Sequence, residues 1–242
     1  MDVNRRYFVE YVVRSGAQRV LDYGCGGGEV VGELRRRGVD CRGADVFYEG
    51  GDVEGGELKQ LVAEGVIRRF REGEPVPFPD GTFDLIVSNQ VFEHVADLEP
   101  TVAELDRLLA ADGLMYHHFP SREVLREGHI GIPLAHRFPP GRARTAWTLT
   151  LRRIGLGYHR NAPPRAWTRK QLDWIDAYTF YRPYREIAHV FGERFVIRAR
   201  EGDYCRFRAE GRRIRPLLSR FDGLQTFALR RLAFMALEMR RR

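Results

Sequence analysis

The segment Val20-Leu21-Asp22-Tyr23-Gly24-Cys25-Gly26-Gly27-Gly28-Glu29 constrains this chain more than any other. A short apolar run ends in a carboxylate, a glycine-rich turn follows, and a helical pattern runs from Glu29 to Arg37. Strand, tight turn and helix in that order open an α/β unit. Glycines in the turn let the backbone come close to a bound ligand. Asp22 puts a negative charge at the end of the strand. That charge gives nothing to a phosphate but favours a cationic ligand. The spacing Gly24-x-Gly26-x-Gly28 is not the G-x-G-x-x-G of a dinucleotide binder, and no Lys-Ser/Thr follows as in a P-loop.

The same alternation continues along the first half. The pattern predicts a leading amphipathic helix over Asn4 to Arg14, strands at Arg19 to Asp22, Val39 to Val46, Val66 to Phe70, Phe83 to Ser88 and Leu114 to Phe119, and helices at Glu29 to Arg37, Glu57 to Glu64 and Leu98 to Leu109. The nearly unbroken apolar run at Phe83 suits a strand buried on both faces. Strands alternating with helices predict an α/β fold with a doubly wound parallel sheet. After Pro120 the rhythm breaks. Residues 121–182 are too long for a plain loop and read as a cap over the carboxyl edge of the sheet, where such folds bind ligands. A helix at Arg185 to Phe191, strands at Phe195 to Ala199 and Asp203 to Ala209, and one or two helices over Pro216 to Arg242 complete the expectation. The organisation is 1–120 for the ligand-binding half, 121–182 for the cap, and 183–242 returning to the same domain.

The run Val76-Pro77-Phe78-Pro79-Asp80-Gly81-Thr82-Phe83-Asp84, followed by a strand and then Glu93-His94-Val95, is the second strong signal. Together with the glycine turn it resembles class I S-adenosylmethionine-dependent methyltransferases, and in particular the small-molecule family often called type 11. Ala111-Asp112-Gly113 replaces that family's usual P-G-G before the fifth strand. The resemblance spans about Tyr7 to Pro120 and implies a Rossmann-like, seven-stranded sheet with S-adenosylmethionine as cofactor. Carried over residue by residue, Asp22, Gly24, Cys25 and Gly26 would line the methionine and ribose part. Asp45, 21 positions after Gly24 at the end of the second strand, would hold the ribose hydroxyls. Val46 would pack on the adenine and Glu72 would lie near its amino group, although Arg71-Glu72-Gly73 departs from the usual G-D-A. Ser88, Asn89 and Gln90 would contact the cofactor beneath its sulfonium.

A hydroxyl acceptor also needs a base, and imidazole suits neutral pH. His94, His129 and His136 are the candidates, with His117 and His118 behind them. His129 and His136 flank the apolar stretch Ile130 to Ala135, which is either an acceptor-contacting element or a lid docked on the core. No metal is expected, because this pair alone falls short of the three or four ligands a site needs. The aromatics Trp147, Trp167, Trp174, Tyr178, Phe180, Tyr181 and Tyr184 form either a local core or a wall for a ring-containing or lipid-like acceptor.

Among the 242 residues the net charge is +7, carried almost wholly by arginine, with Lys59 and Lys170 as the lysines. That excess is spread along the chain and comes with no nucleic-acid motif, so it argues against a nucleic-acid partner. No N-P-P-Y/F sequence follows the fourth strand, which weakens methylation of bases. The hydrophobic fraction of 43% supplies a core without a membrane-spanning run. With no signal peptide and no C-x-x-C, the reading is cytoplasmic with reduced thiols. The amphipathic stretch Phe227 to Arg240 could pack on its own domain, mediate an oligomer, or touch a membrane surface peripherally. The expected function is methylation of a small or medium organic acceptor, at oxygen. Methylation of nucleic acid or protein, and a non-catalytic cofactor-binding scaffold, are the alternatives.

Overall fold

A computed structural model describes residues 1–47, 56–159, 161–210 and 221–242. Seven strands form one sheet: β1 Arg19–Tyr23, β2 Asp40–Asp45, β3 Ile67–Arg69, β4 Phe83–Asn89, β5 Leu109–Phe119, β6 Phe195–Ala199 and β7 Met235–Arg241. Their order is β3-β2-β1-β4-β5-β7-β6, with β1 to β5 parallel and β7 antiparallel to both its neighbours. The doubly wound, seven-stranded expectation holds.

The central strands alternate sides in period two. Val20, Leu85, Val87, Leu114 and Tyr116 face one layer, built with α1 (Val3–Ser15) and α2 (Glu29–Arg36). Leu21, Tyr23, Ile86, Met115 and Phe119 face the other, built with α4 (Leu98–Leu108) and α7 (Tyr184–Gly192). A third helix of the sheet's first half, α3, spans Gly56–Ala63. Helix ends follow local chemistry. The Asp2 side chain accepts from the amides of Asn4 and Arg5 to cap α1, and Gly16 closes it in left-handed backbone.

The inserted segment carries α5 (Arg142–Arg153) and α6 (Pro164–Tyr178). These helices pack with the preceding loop around Ile130, Ile132, Trp167, Leu172 and Ile175, a small core of their own. Trp167 therefore belongs to local packing. An ion pair of 2.7 Å joins Arg144 to Asp176 across the two helices. The insertion leaves and rejoins the sheet through one neck. The Arg122 amide donates to the Arg182 carbonyl at 2.8 Å, and the Arg182 guanidinium donates to the carbonyls of Val95 at 2.9 Å and Ala96 at 2.6 Å.

Two sequence expectations are corrected. Asp203 to Ala209 is not a strand but lies in helix α8 (Glu201–Arg208). Tyr204 and Phe207 are buried against Tyr7 at a three-residue spacing, which is a helical face and not the alternation of a strand. The stretch Phe227 to Arg240 is not one amphipathic helix. Helix α9 (Asp222–Leu232) ends it early, and 235–241 form β7. Met235, Ala236, Leu237 and Met239 are wholly buried between β5 and β6, so sheet context overrides the helix propensity of Met, Ala, Leu and Glu. Residues 216–220 lie outside the described residues. Helix α9 exposes Leu224, Phe227 and Leu232. No described helix is long and apolar enough to cross a membrane.

Candidate active site

A cavity of about 840 Å³ opens at the carboxyl ends of β1, β2 and β4, where the strand order reverses and such sheets bind ligands. The glycine turn forms its floor. The amides of Gly24 and Cys25 donate to the Ala44 carbonyl at 2.7 and 3.3 Å, tying the turn to β2. Gly24 and Gly26 both take left-handed backbone, at φ +74° and +51°. A Cβ on Gly24 would meet the Val91 Cγ2 at 2.3 Å, whereas one on Gly26 meets nothing within 4 Å. Gly24 thus answers to packing, and Gly26 keeps space beside the cavity open.

Two carboxylates reach this floor. Asp45 accepts from the Gly26 amide at 2.7 Å and from the Phe47 amide at 2.7 Å. Asp22 is buried, and that burial, with the neighbouring charge of Asp45, pushes its carboxyl up to about 7. A cation placed there would draw it back to the ionised form. Burial pushes the Cys25 thiol well above its usual range, so it is a packing residue and not a thiolate.

Of the residues assigned from the sequence, Asp22, Gly24, Cys25, Gly26, Asp45, Val46, Glu72, Asn89, Gln90 and His94 all line the cavity. Glu72 also accepts from the Ala96 amide at 2.8 Å, holding the loop after β4. Gln90 sits at φ +58°, an uncommon conformation for a residue with a side chain and a mark of constrained functional loops. The Asn89 side-chain oxygen is buried with no hydrogen-bond partner among the described residues. Ser88 is placed otherwise. It is wholly buried, and its Oγ pairs with His117 Nδ1 at 2.8 Å.

The histidines separate clearly. His117 and His118 are wholly buried in the sheet, and burial holds both near 3, so they stay neutral and have no access to an acceptor. His136 and His129 are not among the cavity-lining residues. His136 Nε2 lies 3.2 Å from the Arg122 carbonyl, with its ring against Tyr181. His94 does line the cavity. Its Nδ1 lies 2.6 Å from the Tyr178 carbonyl. A carbonyl can only accept, so that nitrogen carries the proton. Burial lowers the His94 pKa despite this bond.

His129 stands behind His94, with ring centroids 4.9 Å apart, and Trp174 touches both rings. His129 Nδ1 is 2.7 Å from the Glu127 carboxylate, which also accepts from Tyr181 at 2.6 Å and from the Ile130 amide at 2.6 Å. Burial opposes the Glu127 charge, but these hydrogen bonds outweigh it and hold the carboxyl below its usual range. The sequence reading singled out neither Glu127 nor Glu93, although both stand inside the motifs it quoted. Tyr181 reaches Glu127 and the Phe180 amide donates to the Glu93 carbonyl from far along the chain.

A family model described as "Methyltransferase domain" matches residues 5–194. An uncharacterized methyltransferase of Bacillus subtilis, YcgJ, is 34% identical over 114 residues, covering 45% of this chain and 44% of the relative. The ubiquinone biosynthesis O-methyltransferase of Mesorhizobium japonicum is 36% identical over 101 residues, covering 40% and 39%. The chain thus spans less than half the length of these curated relatives. Among solved structures, an S-adenosylmethionine-dependent methyltransferase from Mesorhizobium loti aligns with a TM-score of 0.52 at 17% identity, over 93% of this chain and 90% of that one. At that identity the likeness speaks for the fold.

Proposed function

Because the chain belongs to the methyltransferase-domain family, matched over residues 5–194, we propose that it transfers the methyl group of S-adenosylmethionine to an oxygen of a small or medium organic acceptor. One observation carries this reading: Asp22, the glycine turn, Asp45 and His94 converge on a single cavity. Asp45 keeps acceptor capacity for the ribose hydroxyls beyond the two amides it already holds. Asp22 offers a negative charge to the cationic end of the cofactor.

The sulfonium methyl is already activated, so the site has to align acceptor, methyl carbon and sulfur and exclude water. The acceptor oxygen attacks the methyl carbon, the carbon–sulfur bond breaks with its electron pair on sulfur, and S-adenosylhomocysteine leaves. A hydroxyl acceptor sheds its proton in the same event, which favours an imidazole-lined wall. His94 supplies that wall, next to the cap that would cover the acceptor.

Calorimetric titration with S-adenosylhomocysteine tests the reading. The chain should bind it one to one. Asp45→Ala should weaken binding by about 1.5–3 kcal/mol, the cost of a lost charge-assisted hydrogen bond. No binding by the parent protein would remove the cofactor assignment. Unchanged affinity in a folded Asp45→Ala protein would remove the ribose role of Asp45.

A further inference from the structure

Three metal-ligating side chains meet where the cap touches the sheet. A ring nitrogen of His94, a ring nitrogen of His129 and a carboxylate oxygen of Glu93 all lie within 4.8 Å of one another. The pair His129 and His136 lacked a third ligand in the sequence. The fold replaces His136 with the adjacent residues Glu93 and His94.

The setting of Glu93 is the second, independent observation. Its side chain is about 1% exposed, and neither carboxylate oxygen has a hydrogen-bond partner among the described residues. A buried carboxyl left unmatched costs folding energy whether charged or neutral. Such a group persists where something else satisfies it. The two imidazoles are each oriented by a hydrogen bond. His94 Nδ1 is engaged by the Tyr178 carbonyl and His129 Nδ1 by Glu127. Metal-bound histidines are held in this way, with one nitrogen on a carbonyl or carboxylate and the other donating its lone pair.

We infer that Glu93, His94 and His129 bind a divalent transition-metal ion such as Zn²⁺ or Co²⁺ at the junction of cofactor half and cap. Two imidazoles and one carboxylate suit these ions, whereas Mg²⁺ and Ca²⁺ prefer oxygen ligands alone. Around a tetrahedral ion at about 2.1 Å the ligand atoms stand roughly 3.4 Å apart, so the triangle, whose sides are at most 4.8 Å, contracts when the ion binds. Three protein ligands leave a coordination position open. His94 lines the cavity, so the ion would sit beside its wall. There the ion would take an oxygen of the acceptor and make its hydroxyl more acidic. This role rests on the methyl-transfer reading; the binding of the ion does not.

The test uses the full chain after treatment with a chelator, titrated with Zn²⁺ by calorimetry and with Co²⁺ by visible absorption. One ion per chain is expected, with the intense visible bands of low-coordinate Co²⁺. Glu93→Gln and His129→Ala should each weaken binding by at least ~100-fold, and Glu127→Gln by ~10–100-fold through loss of the hydrogen bond that orients His129. His136→Ala should bind as the parent does. His129 is part-exposed, so its variant keeps the test open if Glu93→Gln fails to fold. Stoichiometric binding that survives His129→Ala, or parent binding no tighter than that of the Glu93→Gln/His129→Ala double variant, would overturn the site. Titration of the stripped protein with S-adenosylhomocysteine checks the cofactor reading separately, so either can fail alone.

Discussion

Gly24 and Gly26 stand two residues apart in one turn, both in left-handed backbone, yet alanine should affect them in different ways. The conformation alone costs an L-residue roughly 1–2 kcal/mol at either position. At Gly24 the new methyl would also lie 2.3 Å from Val91 Cγ2 and 3.0 Å from Val91 Cγ1. Valine is stiff about χ1 and cannot turn both methyls away, so overpacking adds about 1–3 kcal/mol. Gly24→Ala should therefore lose about 2–5 kcal/mol and Gly26→Ala about 1–2. For a chain of this size each kcal/mol moves the midpoint by roughly 2–4 °C. Thermal unfolding of both variants without ligand should thus place Gly24→Ala clearly below Gly26→Ala. Titration with S-adenosylhomocysteine should rank them by another criterion. Gly26→Ala keeps most of its stability but puts a methyl into open space beside the cavity, and should lose affinity out of proportion to its small thermal shift. Equal midpoints, or a Gly26→Ala protein with parent affinity, would refute this division between a glycine needed for packing and one needed for access.

Asp22 should make the chain less stable as pH rises. Its carboxyl titrates near 7 when folded and near 4 when unfolded, so between those values the folded state holds the extra proton and stability falls with pH. Asp22→Asn should then be the more stable protein at pH 8, by on the order of 4 kcal/mol at most. The gap should close toward pH 4 in denaturant melts, and parallel pH curves would contradict the assignment. If the cofactor's cationic end requires ionised Asp22, parent affinity for S-adenosylhomocysteine should climb from pH 5.5 to about 7 and then level off; a flat calorimetric profile would count against the contact. Leu237 is wholly buried in β7, and Leu237→Ala should cost about 2–5 kcal/mol, a loss that a peripheral surface helix would not show in chemical denaturation.

β1 and β4 were legible because each is a short, largely apolar run, and buried parallel strands leave little ambiguity; β2 and β3, with Arg42, Arg68 and Arg69 inside them, were placed by the alternation of strands and helices around them. The cofactor-side cavity was legible for the same reason, since Asp22, Asp45 and Asn89 are all fixed by strand ends. Residues 203–209 were not. Cys205, Arg206, Phe207, Arg208 and Ala209 alternate as a strand would, while Tyr204 and Phe207 stand three apart as on a helix, and only the docking of Tyr204 and Phe207 on Tyr7 decides between them. The composition of β7 favours a helix, and its burial comes from pairing with β5 more than a hundred residues earlier. The cluster of Glu93, His94 and His129 was invisible for a related reason. Nothing in local sequence links positions 93 and 129; the cap's docking joins them.

The neck of the insertion has an engineering consequence. Because the Arg122 amide and the Arg182 carbonyl are bonded to each other, the intervening segment leaves and re-enters the sheet half at adjacent points, and beyond that clasp it also meets Glu93, His94 and Arg231. Its length is then nearly a free variable so long as those contacts are kept, since closing a longer excursion costs only a logarithmic increment of entropy. A graft cut at this clasp should leave the sheet beneath intact where the incoming segment reproduces the bonds to Glu93 and His94.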